Sequence, residues 1–175
     1  MTPVQRLTVN LSAYPDLVVI YLGMRVRTLA GIKTLFGFGP KIQGSVAEKP
    51  DGLLLHENLL FSLFPPHTGM RQYWRDFDSL ERWARSDPHR HWWQDFVKNS
   101  GGTGFWHETY FIRGGIEAIY DDVHKKIGLS AFAPQKAKGL AILFRASDSR
   151  QLRRDFLLCE TAMQQRRDEL FNRVA

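Results

Sequence analysis

Two stretches of the chain place groups that can carry protons beside large aromatic rings. The first is Gly104-Phe105-Trp106-His107-Glu108-Thr109-Tyr110. In a strand, side chains alternate between faces. Phe105, His107, Thr109 and Phe111 then share one face, and Trp106, Glu108, Tyr110 and Ile112 the other. Each face carries one titratable group among rings. A strand built only for packing would keep one face free of both His and Glu. Buried ionisable groups need partners and often mark sites. His107 and Glu108 are therefore candidate catalytic groups, with Trp106 and Tyr110 as pocket walls. The plainer alternative is a pair satisfied across the sheet or at a seam between two copies.

The second stretch is the segment Asp87 to Asn99, which reads as a helix with Asp87 as cap and Pro88 in its first turn. His89, Trp93 and Phe96 fall at i, i+4 and i+7, on one face, with Trp92 beside them. His91 is spaced to meet Asp95. A histidine on such a face could be a general base, a haem ligand or a substrate contact. It could also simply pack and cap. Arg25, inside an apolar strand, could hold an anion or a carboxylate such as Glu108, or snorkel to solvent. His56, Glu57, His67 and His124 are weaker candidates.

Other chemistries lack their motifs. The six histidines show no zinc-ligand spacing. No Walker loop, dinucleotide fingerprint or Gly-x-Ser-x-Gly elbow is present. The single cysteine, Cys159, permits no intramolecular disulfide and reads as packing in a helix.

Several elements must position these residues. Asp16–Arg27 reads as a central strand, apolar on both faces. Residues 28–47 read as a short helix, a break at Gly37 to Gly39, and a further helical turn from Pro40. Leu53–Leu63 and Met70–Trp74 form a hairpin across Pro65-Pro66 and Gly69. Asp78 with Glu81 resembles a capping box opening a helix over Leu80, Trp83 and Ala84. Phe105–Ile112 is a fourth strand and Ile116–Tyr120 a short fifth; Asp121–Gly139 is surface loop. Leu140–Phe144 is an apolar run of open type. Ser147 onward is an amphipathic helix through Leu152, Phe156, Cys159 and Met163.

Strand, helix, strand, strand, helix, strand is the split β-α-β order of a ferredoxin-like α+β fold with an antiparallel sheet. The expected organisation is one domain over 1–139 and a helical extension over 140–175. Helices cover one face of such a sheet, so the other needs a partner, most simply a second copy.

Composition agrees with one globular domain. The chain has 175 residues, 43% apolar and 24% charged, with a net charge of +6. The excess arginine gathers near the C-terminus without a nucleic-acid-binding motif, and reads as a solvated helix face. Residues 1–15 lack a leader pattern, and no apolar run approaches the roughly 20 residues of a membrane span. The expected location is the cytoplasm, with no membrane span and no nucleic acid partner.

At these same residues the chain resembles the fumagillin-pathway-type monooxygenase-like family of the dimeric α+β barrel superfamily, which includes antibiotic-biosynthesis monooxygenases. The matching pieces are Gly23-Met24-Arg25, Gln72-Tyr73-Trp74-Arg75 leading into Leu80-Glu81, His89 with Trp93 and Phe96, Trp106-His107-Glu108-Thr109-Tyr110, and Glu117-Ala118-Ile119-Tyr120. Asp121 to Lys126 replaces the Pro-rich segment of family members. The resemblance implies a homodimer and a monooxygenase acting with O2 on a small hydrophobic or aromatic molecule, without a dissociable cofactor. His107 or His89 would take the proton and Arg25 would stabilise the anion. Trp93, Phe96, Trp106, Tyr110 and Tyr73 would line the site. The resemblance implies two alternatives: a haem protein ligated by His89 or His91, and a non-catalytic ligand-binding barrel.

Overall fold

The computed structural model describes residues 4–113, 116, 118–123 and 125–137, all within the first of the chain's two units, Met1–Ala137. The expected boundary at 139, the run Leu140–Phe144, the arginine-rich helix and Cys159 lie outside the described residues.

The elements in chain order are β1 (Arg6–Val9), β2 (Val18–Val26), α1 (Leu29–Ala47), β3 (Leu53–Ser62), β4 (His67–Trp74), α2 (Phe77–Arg85), α3 (His89–Lys98), β5 (Thr103–Phe111), β6 (Tyr120–Asp121), a 3₁₀ turn (Gly128–Ala131) and β7 (Gln135–Ala137). Four antiparallel strands form the main sheet in the order β3-β4-β2-β5. β2 is central, as its two-sided apolarity predicts. The fold is α+β and ferredoxin-like.

Register assigns the faces. Val18 lies between Trp74 and Phe111, Ile20 between Gln72 and Thr109, Leu22 between Met70 and His107. These residues face the helices. Val18, Trp74 and Leu80 form a buried cluster with Phe77 and Trp83 of α2. Gly31 of α1 approaches β5 so closely that a Cβ there would overlap the carbonyl oxygen of Gly102.

The opposite face carries Val19, Tyr21, Tyr73 and Leu55. Leu17, Val19, Tyr73 and Leu129 form its core, joined by Val9, Tyr14 and Phe132. The second sheet, ordered β6-β1-β7, belongs to this packing. The face expected to wait bare for a second copy is thus partly covered by the chain's own outer strands and 3₁₀ turn. Glu57 straps that turn down: Oε1 accepts from Gly128 N at 2.8 Å, while Oε2 pairs with Arg71 at 2.6 Å.

Local expectations differ from the structure in specific ways. α1 is continuous, with Pro40 inside it. Its close packing on β2 and β5 holds a helix that Gly37, Gly39 and Pro40 would weaken in isolation. The cap of α2 is Asp76, not Asp78: Asp76 Oδ1 accepts from Ser79 N at 2.7 Å. Asp87 does not cap α3, which begins after Pro88 without a side-chain cap. β4 begins at His67, so Gly69 lies in the strand and not in the turn. Of the strand expected over Ile116–Tyr120, only Tyr120 is in a strand among the described residues, as the start of β6 (Tyr120–Asp121). The surface loop expected beyond it instead holds the 3₁₀ turn and β7.

Candidate functional site

The candidates divide between the two faces of the main sheet. His107 stands on the helix-bearing face beside Leu22, exposed near the sheet edge. Phe105, two residues back on the same face, packs its ring on His107 at 6.0 Å. Trp93 and Phe96 of α3 meet Phe105 edge to face, with centroids 5.4 and 5.7 Å away. Trp93 and Phe96 themselves stack at 5.8 Å. The helix stripe and the strand that the sequence singles out therefore meet, and His107 adjoins the aromatic cluster they build.

His89 lies on the same side but in a closed position. Its ring packs at 3.8 Å on Trp83 and 4.9 Å on Trp92. Nε2 stands 3.3 Å from Ser45 Oγ of α1, and Nδ1 is buried without a hydrogen-bond partner among the described residues. An orphaned lone pair is less costly than an orphaned N–H. The proton therefore belongs on Nε2, and burial lowers the pKa. Nδ1 is closed to a substrate, and Nε2 is engaged by Ser45. His91 is exposed; its Nδ1 pairs with Asp87 Oδ1 at 2.8 Å, rather than with Asp95. The cause is that Asp87 lies one turn earlier, at the helix start.

The remaining candidates lie on the other face. Trp106 covers Gly23 and donates from Nε1 to His67 Nε2 at 2.9 Å. An indole N–H only donates, so His67 is neutral with its proton on Nδ1. Burial, then the charge of Arg25, lowers its pKa. Tyr110 donates to Glu108 Oε2, and the two are exposed. That hydrogen bond, then burial and the carboxylate charge, raises the Tyr110 pKa. Tyr73 is buried in the core of this face.

Arg25 does not reach Glu108. It lies opposite Gly104, whereas Glu108 lies opposite Tyr21, four residues away along the strand, or about 13 Å at ~3.3 Å per residue. Arg25 and His107 are also on opposite faces, so they cannot grip one small substrate together. Arg71 of β4, which sequence reading passed over, holds the carboxylate on this face. It pairs with Glu57 and donates to Tyr21 Oη at 2.8 Å. An arginine and a glutamate on paired strands was the available signal.

A haem needs a histidine nitrogen facing open space. His89, closed between Trp83, Trp92 and Ser45, does not fit. His91 has suitable donor chemistry, because iron-binding histidines commonly give their other N–H to a carboxylate. Among the described residues no group of three or more His, Cys, Asp or Glu is placed to hold a metal ion, and no helix is long and apolar enough to cross a membrane.

Residues 17–129, which include both stretches, match the family model described as Monooxygenase af470-like. The chain belongs to that family. The solved aldoxime dehydratase OxdRE, in complex with butyraldoxime, is 22% identical with a TM-score of 0.63, covering 79% of this chain and 40% of that one. A second aldoxime dehydratase structure is 22% identical at 0.61, covering 77% and 39%. The chain spans about two fifths of the length of these proteins. SnoaB, a cofactor-independent oxygenase from Streptomyces nogalater, is 14% identical at 0.42, covering 58% and 97%. At 22% identity the likeness to the two aldoxime dehydratases concerns the fold. No curated protein matches the chain.

Proposed function

We propose that this chain is a monooxygenase that uses O2 on a small aromatic or hydrophobic substrate without a dissociable cofactor, and that its working face is the helix-bearing one. The observation that carries the reading is the junction of His107 and Phe105 on β5 with Trp93 and Phe96 on α3, within a chain of a monooxygenase family. Rings of this kind suit a flat, electron-rich molecule. His107, exposed beside them, is the proton acceptor.

The chemistry starts at an acidic C–H of a methylene flanked by aromatic or carbonyl groups. His107 takes the proton, and the electron pair left on carbon reduces O2. A C–O bond forms and the O–O bond breaks. One oxygen stays on carbon as a carbonyl, and the other leaves as water with the two hydrogens that carbon has lost. His89, sealed behind Trp83 and Trp92, supports the helices and takes no part. Arg25, Trp106, Tyr110, Glu108 and Tyr73, on the far face, belong to the scaffold or to contacts with a second copy. A homodimer through that face is consistent with the exposure of Tyr110.

The test is oxygen uptake by the purified chain with a panel of aromatic ketones bearing an acidic benzylic C–H. Replacing His107 by Ala should lower turnover by about 10²–10⁴, the usual contribution of a general base. Unchanged turnover overturns the assignment.

The Asp87–His91 pair favours one alternative, a haem protein with His91 as the iron ligand. Bound haem would supply the redox chemistry; Asp87 would orient the ring. Adding hemin and looking for a Soret band lost in His91→Ala separates the two readings.

A further inference from the structure

The helix-bearing face also holds a hydrogen-bond chain that the reading above leaves unused. Trp74 Nε1 donates to Gln72 Oε1 at 3.1 Å, and Gln72 Nε2 lies 3.2 Å from His56 Nδ1. His56 Nε2 lies 3.1 Å from Asn58 Oδ1, and Gln43 Nε2 of α1 donates to the same oxygen at 3.0 Å. Trp74 and Gln72 are wholly buried.

The buried end gives the chain its direction. An indole nitrogen can only donate, so Gln72 must turn its oxygen to Trp74 and its amide hydrogens to His56. His56 must then accept at Nδ1 and, as a neutral ring, carry its proton on Nε2. Burial, which disfavours the charged ring, acts in the same sense. The Nε2 proton goes to Asn58 Oδ1. With that oxygen occupied by two donors, the Asn58 amide nitrogen is left facing away from the chain. Asn58 is exposed, so two N–H donors are preset at the surface.

Topology puts an apolar patch beside them. β2 and β3 run the same way, and α1 runs back over the sheet from the end of β2. Starting from the Gln43–Asn58 bond, Phe36 lies seven residues back on α1, about 10 Å at ~1.5 Å per residue. Seven residues is nearly two turns, so Phe36 shares the flank of Gln43. Leu60 lies two residues on along β3, on the same face as Asn58 and toward the same end. Phe36 is 75% exposed and Leu60 61%. Exposed apolar groups gathered at one place mark binding surfaces.

We infer that the Asn58 amide is a recognition point for an acceptor oxygen — carbonyl, enolate or phenolate — on a flat apolar ligand that lies along Phe36 and Leu60. This rests on the reading that substrate occupies the helix-bearing face; Asn58 on edge strand β3 and His107 on edge strand β5 lie three strand spacings, about 14 Å, apart, so the Asn58 point is a second subsite on that face. Gln43 and His56 are positioning residues, acting through the orientation they impose on Asn58.

The experiment uses the full, ¹⁵N-labelled chain and two probes of similar size, 2-acetylnaphthalene and 2-ethylnaphthalene. The ketone should bind about 2- to 10-fold more tightly, the range of one net hydrogen bond, and should shift the Asn58 side-chain amide signals. Asn58→Asp keeps the acceptor that Gln43 and His56 need but removes both donors. It should abolish the ketone's advantage and leave the hydrocarbon's affinity unchanged, whereas Phe36→Ala should weaken both probes. Equal affinities with an unmoved Asn58 amide, and shifts falling around His107, overturn this inference and leave the functional face standing. Shifts confined to Trp106 and Tyr110 overturn both. Failure of either probe to bind overturns the inference, as does Phe36→Ala dissociating a dimer without touching probe affinity.

Discussion

Phe105 of β5 and Trp93 of α3 meet edge to face with ring centroids 5.4 Å apart, and this contact joins the helix to the strand that carries His107. Each ring alone could be ordinary packing. Their meeting, with Phe96 as a third member, places an exposed histidine at the edge of an aromatic cluster. A double-mutant cycle on Phe105→Leu and Trp93→Leu should give a coupling of about 0.5–1.5 kcal/mol in urea unfolding, the value of an aromatic pair beyond its area. Additive effects would mean that the two rings do not support one another.

The ion pair on the opposite face should behave differently. Arg71 and Glu57 retain only 26% and 19% side-chain exposure. Breaking a buried pair leaves an uncompensated charge, at a cost of about 3–5 kcal/mol when burial is complete. Glu57→Gln should therefore destabilise by roughly 1–3 kcal/mol, discounted for residual solvent. The double change of Arg71 and Glu57 to Leu should cost less than the single change. Urea midpoints of the variants check both statements.

Acid stability follows from three histidines. His56, His67 and His89 all have folded pKa values lowered from the ordinary imidazole value, chiefly by burial. The unfolded chain then takes up protons first as pH falls. Stability is full above the unfolded value near ~6.5 and is lost as pH drops through the folded values. The thermal midpoint should fall between about pH 7 and pH 5, and His56→Gln should flatten that fall. A midpoint rising on acidification would contradict the neutral states assigned here.

Two glycines allow close approaches of unequal rigidity. A Cβ at Gly23 would sit 2.8 Å from Trp106 Nε1, a side chain that can swing away; at Gly31 it would strike the backbone oxygen of Gly102. Gly31→Ala should destabilise the chain more than Gly23→Ala. Gly23→Ala should instead disturb the Trp106–His67 hydrogen bond, visible in the indole N–H signal.

The sheet was readable because its strands are rich in β-branched and aromatic residues and its turns carry Pro and Gly. The alternation of Phe105 to Ile112 also gave the correct division of His107 from Trp106 and Glu108. Less was legible where long-range packing decides. The continuity of α1 through Pro40 depends on its contacts with β2 and β5, which local propensity does not contain. The strand Arg6–Val9 exists because residues 120–121 and 135–137 return to pair with it. From helical spacing His89 reads as a general base, a haem ligand, a substrate contact or a packing residue. Only its burial against Trp83, from another helix, and its contact with Ser45 show that Nδ1 is closed and Nε2 engaged. The chain from Trp74 through Asn58 to Gln43 draws on three elements, and no local spacing in the sequence joins them.

The most direct test of the account compares the two faces in one assay. Oxygen uptake with an acidic aromatic ketone is measured for His107→Ala beside Glu108→Gln and Arg25→Ala. The account predicts that turnover collapses by about 10²-fold or more in the first and stays near the parent level in the other two. Full activity in His107→Ala, with loss in Glu108→Gln or Arg25→Ala, would move the chemistry to the opposite side of the sheet and contradict it.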